Sequence, residues 1–140
     1  MLPDAAFAKI GDRLRDDPRV ELTQAANALT IVPRAPNSFA VTLQLARDRS
    51  AVYFDGWHEE FDAVEPALEC AGYGLTRGCR LRVDSRGTTP YRWTLEMRCG
   101  SEWTADSATG LLLAPWWRRR TTRYLYNDVL PDRDAEPALD

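Results

Sequence analysis

At 140 residues the chain is long enough to bury one core without disulfide or metal staples, and 44% hydrophobic with 28% charged residues are globular proportions that exclude a disordered or fibrous protein. A net charge of -3 gives no overall attraction to nucleic acid or to an anionic membrane, and no stretch approaches the ~20 apolar residues of a bilayer span. Cys70, Cys79 and Cys99 are odd in number and show no C-x-x-C, so neither a disulfide framework nor a zinc site is expected. Free thiols, an N-terminal run without the apolar stretch of a signal peptide, and basic residues that are all arginine except Lys9 point to a bacterial cytoplasmic protein.

Taken in order, Asp4 to Asp16 reads as a helix, because Pro3 and Asp4 make a start signal and Phe7, Ile10 and Leu14 share one face. Asp17-Pro18 ends it. The short β-branched runs Arg19 to Thr23 and Leu29 to Val32 form a hairpin, and Pro33 to Asn37 is a turn. From Phe39 the alternation of Phe39, Val41, Leu43 and Leu45 with Ala40, Thr42 and Gln44 predicts a strand with one buried face. The centre of the chain is residues 51 to 72. There Val52 to Phe54 suits a strand, Asp55 can cap a helix, and Trp57, Phe61, Val64 and Leu68 recur at helical spacing beside an acidic stripe of Asp62, Glu65 and Glu69. Pro66 should kink or restart that helix.

Beyond Gly72, Gly74 and Gly78 the chain returns to strands. Cys79, Leu81 and Val83 alternate with Arg80, Arg82 and Asp84, and Tyr91, Trp93, Leu95, Met97 and Cys99 alternate with Arg92, Thr94, Glu96 and Arg98. Pairing Asp84 with Arg92 also sets Arg80 opposite Glu96, so complementary charge selects that register, with Cys79 and Cys99 as neighbours on the inner face. Glu102 to Ala105 and Leu111 to Ala114 follow as short strands around a turn at Asp106 to Gly110, and Thr121 to Tyr126 is the last strand. The sum is a single α+β domain over residues 1–130, with a curved antiparallel sheet of about six to eight strands packed on one side by two helices. The stretch 131–140, with two prolines and four acids, is expected to be a disordered acidic tail.

Two groups can carry chemistry. His58 is the only histidine, and Asp55 and Asp62 flank it, so the three can orient an imidazole for acid-base work at the mouth of a pocket between sheet and helix. No third metal ligand, nucleophile elbow or phosphate loop accompanies them, so no metal or cofactor is expected and the sequence points to binding more than to catalysis. The second group is WWRRRTTRYLYN, where Arg118, Arg119, Arg120 and Arg123 interleave with Trp116, Trp117, Tyr124 and Tyr126. Arginine forks suit carboxylates and phosphates, and aromatic rings stack on guanidinium groups or bases. If these residues lie beside the arginines of the Cys79 to Cys99 hairpin, they make a basic, aromatic-edged surface opposed to the acidic stripe. That layout fits a protein partner or a second copy of the chain; single-stranded nucleic acid is disfavoured by the net acidity, and no membrane partner is expected.

Overall fold

The computed structural model describes residues 3–131 apart from Arg47 and Leu112, with backbone only at Pro3 and Asp4. Apart from Pro131, the predicted acidic tail lies outside the described residues. The fold is α+β: two helices and nine antiparallel strands among the described residues, divided between a five-stranded and a four-stranded sheet.

Helix α1 (Pro3–Leu14) buries Ala6, Phe7, Ile10 and Leu14, the expected stripe. A meander follows, β1 (Val20–Gln24), β2 (Ala28–Pro33), β3 (Val41–Leu45), β4 (Ser50–Phe54) and β5 (Trp57–Phe61), in which each strand pairs with the next. Alternate residues Val41, Leu43, Leu45, Val52 and Phe54 are fully buried, so this sheet has one core face. Helix α2 (Val64–Tyr73) lies against β3, β4 and β5, and α1 against α2 and β1.

The central segment departs from the sequence reading. Trp57 to Phe61 is a strand hairpinned to β4, Tyr53 facing His58 and Phe54 facing Trp57, and the helix begins only at Val64. A spacing of four residues brings side chains to one face in a helix and also in a strand, so Trp57 and Phe61 could not tell the two apart. Asp55 is not a helix cap but a turn residue in the left-handed region, φ 54°, a conformation aspartate tolerates. Pro66 falls in the first turn of α2, where its missing amide has no helical acceptor to lose, so the expected restart near Glu65 is the start of the helix itself.

The second sheet contains β6 (Cys79–Arg86), β7 (Thr89–Cys99), β8 (Glu102–Gly110) and β9 (Arg120–Tyr126), in the order β8-β7-β6-β9. The β6–β7 register is the one charge complementarity selects: Asp84 faces Arg92 and Arg80 faces Glu96. It sets Cys79 opposite Met97, which leaves Cys99 exposed near the end of β7 rather than beside Cys79 in the core. Asp106 to Gly110 is not a turn either. It continues β8, with a register shift opposite Leu95 and Glu96, and its polar composition reflects an edge strand exposed along most of its length. Leu111 and residues 113–119 are then outside any strand, between β8 at one edge of the sheet and β9 at the other.

One apolar core runs through both sheets, from Phe7 and Leu14 through Phe54 and Trp57 to Leu81, Val83, Leu95 and Leu125. Asn127, buried just after β9, ties the parts together. It accepts from the Phe39 amide at 3.2 Å and donates to the carbonyls of Phe39 at 3.0 Å and Gly74 at 2.9 Å. No helix of the described residues is long and apolar enough to cross a membrane.

Candidate functional site: an arginine-aromatic sheet face

The alternation that buries Leu81, Val83 and Leu95 sends Arg80, Arg82, Asp84 and Arg86 of β6 to the opposite face of the second sheet. Pairing brings Arg92, Thr94, Glu96 and Arg98 of β7 alongside on one flank, and Arg120, Thr122, Tyr124 and Tyr126 of β9 on the other. Trp103 of β8 stands opposite Arg98. The contact of α2 with this sheet, Cys79 donating to the Tyr73 carbonyl, lies on the core side, so six arginines and three aromatic rings form an open outer face with two carboxylates set into it.

Those carboxylates organise the face. Arg80 pairs with Glu96, donates to the Tyr126 hydroxyl at 3.3 Å, and lies over the rings of Tyr124 at 4.1 Å and Trp103 at 4.4 Å. It is thus held by four groups and serves as a structural rivet. Asp84, with no exposed surface, sits among three more arginines from three strands: Arg82 Nε at 3.3 Å and Arg120 Nη2 at 3.7 Å from Oδ1, and Arg92 Nε at 3.5 Å from Oδ2. Thr122 donates its hydroxyl to Oδ1 at 2.6 Å, while Oδ2 accepts no hydrogen bond. Burial pushes the Asp84 carboxyl up, but the Thr122 hydroxyl and the Arg82 and Arg120 charges outweigh it and hold the group below the usual carboxylate value.

A pH dependence follows from that direction. A carboxyl whose folded value is lowered stabilises fully above its unfolded value, 3.8, and the contribution disappears as pH falls toward the lower folded value. Asp17, held at about 2 by its hydrogen bonds from Arg19, works in the same window, so the difference between two proteins is the readout. Asp84→Asn, which retains an acceptor for Thr122, should lose less stability than the parent between pH 5 and pH 3, roughly, in urea titrations. Parallel acid profiles would show that the Asp84 charge is not held by its arginines.

Of the sequence candidates, Arg120, Tyr124 and Tyr126 reach this face. Arg123 points to the other side, opposite Val83. Trp116, Trp117, Arg118 and Arg119 belong to the loop leading into β9, where the two tryptophans are 77% and 68% exposed and pack edge to face on each other. The loop leans on the β6–β7 turn: the Gly87 amide donates to the Arg119 carbonyl at 2.8 Å, and the Arg118 side chain lies over Gly87, whose φ of +60° suits glycine. Asp84 and Trp103 were missed as site residues. The signal for Asp84 was available, since the predicted register already set Arg92 opposite it with Arg82 two residues before.

His58 does not sit in a helix beside Asp62. It is exposed on β5, stacked on Tyr53 with ring centres 5.5 Å apart, and Asp55 and Asp62 lie just beyond opposite ends of that strand. Asp55 is engaged elsewhere, accepting from Trp93 Nε1 at 3.1 Å. No group of three potential metal ligands occurs among the described residues. Of the thiols, burial pushes Cys70 up to about 12, which makes it a poor nucleophile. Two adjoining surface clefts of about 340 and 380 Å³ share Ala35, Tyr126, Asn127 and Asp128, and Arg98 lines the second. They extend the arginine face past the end of β9, and His58 lines neither. Comparison with protein-family models, with curated proteins and with solved structures finds no match for this chain.

Proposed function

We propose that the chain is a protein-binding module whose docking surface is the open face of the second sheet, and that the partner presents an extended acidic segment. The observation that carries this reading is the set of six arginines and three aromatic rings gathered on one face that no helix covers. Arginine, tyrosine and tryptophan are the residues that dominate binding energy at protein interfaces, and arginine forks match carboxylates. Strand β9 has seven residues, a span of roughly 23 Å, enough for six or seven residues of an extended chain before it meets the clefts beside Tyr126. Exposed Trp116 and Trp117, continuous with Arg120 through the loop, supply apolar anchors at the other end.

Nucleic acid is the weaker reading. Bases need free ring faces, and Arg80 covers one face of both Trp103 and Tyr124, so the rings within the sheet offer little for stacking, and the net charge of -3 disfavours a polyanion. A His58-centred enzyme finds no support in the separation of Asp55 from Asp62. Cys70 and Cys99, neither of them in a disulfide, favour a reducing setting such as the bacterial cytoplasm.

The test is fluorescence anisotropy with a labelled peptide of alternating glutamate and phenylalanine. Replacing Arg92, Arg98 and Arg120 by alanine should weaken binding about tenfold or more and flatten its salt dependence. If neither binding nor oligomeric state changes, the reading is wrong.

A further inference from the structure

We infer that Arg82, Arg92 and Arg120 form a receptor for a phosphate monoester, and that the partner segment of the proposed function, on which this inference rests, carries a phosphorylated side chain. The geometry around Asp84 leads to it. Three guanidinium groups from three neighbouring strands converge on one fully buried carboxylate, with nitrogens at 3.3, 3.5 and 3.7 Å from it. Three positive charges against one negative leave an excess of two. An ion-pair network serving stability alone would balance its charges, because unmatched guanidinium groups repel one another.

The arginines also retain the means to bind. Their side chains are 28%, 47% and 45% exposed, so the N–H groups not directed at Asp84 open toward solvent. Among the described residues no hydrogen bond occupies the Nη groups of Arg82, and Arg92 and Arg120 approach Asp84 only at 3.5 and 3.7 Å. Asp84 Oδ2 accepts no hydrogen bond although it is buried and faces Arg92, so the Arg92 fork is not saturated by its own counter-ion. Asp84 is therefore a positioning residue, which holds the guanidinium groups together while leaving their outer donors free.

Charge and geometry choose the ligand. A phosphate monoester carries about -1.5 to -2 at neutral pH and three acceptor oxygens, which matches both the excess charge and three converging forks. A single carboxylate would leave one positive charge unmatched. A phosphodiester carries one charge and comes as a repeating chain, and Arg80, at the centre of the face, is engaged by Glu96 and its rings and breaks the track such a chain would need.

The experiment uses the whole chain and three labelled probes of equal length: an acidic peptide with one phosphoserine, its serine twin, and an oligothymidylate. The phosphopeptide should bind about tenfold more tightly than its twin, and millimolar phenyl phosphate should displace it. Arg92→Ala and Arg120→Ala, both half-exposed and expected to fold, should each remove most of that preference, whereas Arg118→Ala should leave it intact. Equal binding of phosphorylated and unphosphorylated peptides would overturn the receptor while leaving the acidic-segment reading in place. A preference that survives in Arg92→Ala and Arg120→Ala would also overturn it, as an ion-pair network only. Tighter binding of oligothymidylate would assign the face to nucleic acid instead. Loss of binding by all three probes would remove the docking reading itself.

Discussion

Trp57→Ala is expected to destabilise the fold by about 3–5 kcal/mol, a large part of the stability of a domain this size. Trp57 is 1% exposed and its ring stacks on Phe54 with centres 4.7 Å apart. Its Nε1 donates to the Ser107 hydroxyl of β8 at 3.0 Å, so the residue joins the edge of the first sheet to the second. The surroundings cannot collapse into the vacancy. Next to it Trp93 lies so close over Gly56 that no side chain fits there, and Trp93 is in turn held by Asp55. Trp57→Phe, which keeps an aromatic ring but loses the hydrogen bond, should cost about 1–2 kcal/mol. Thermal melts by circular dichroism check both, with a shift of roughly 10 °C or more expected for alanine. A shift of one or two degrees for Trp57→Ala would mean that the two sheets are not joined through this ring.

Asn127→Ala should cost about 3 kcal/mol although it removes hardly any apolar surface. The loss comes from backbone groups. Without the amide, the Phe39 N–H and the Phe39 and Gly74 carbonyls lose the partner they share in a site water does not reach freely. These belong to the run into β3 and to the end of α2, so one side chain closes the first sheet, the second helix and β9 upon one another. Asn127→Asp keeps an acceptor for Phe39 but turns oxygen toward two carbonyls, and should be as costly. Urea unfolding midpoints at an unchanged slope would report the effect. A change below about 0.5 kcal/mol for both variants would show that the three bonds are replaceable by solvent.

How much of this was legible in the sequence depends on whether the signal was local. Strand alternation in β6 and β7, and the charges of Asp84, Arg92, Arg80 and Glu96, were enough to give the hairpin and its register. The stripe of α1 was equally plain. The β5 strand was hidden because Trp57 and Phe61 are spaced four apart, a number common to both periods. The split into two sheets at α2, and the return of β9 to β6, were hidden because no local pattern specifies which edge a strand takes after a long connection. The role of Asn127 depends on contacts 53 and 88 residues away, so the sequence shows only a polar residue after a strand. The arginine face was half legible. Its residues could be grouped by parity on each strand, but Asp84 read as a solvent-facing acid, since burial beneath three arginine stems requires β9 as the third strand.

The measurement closest to the central claim is an NMR titration of the labelled protein with the unphosphorylated acidic peptide, following backbone amides and arginine Nε–H signals together. Docking on the second sheet predicts that Arg82, Arg92, Arg98 and Arg120 Nε–H signals and the amides of β6, β7 and β9 shift, while those of β1 to β3 stay in place. Shifts confined to Tyr53, His58 and the β4–β5 hairpin, with the arginine signals unmoved, would contradict it.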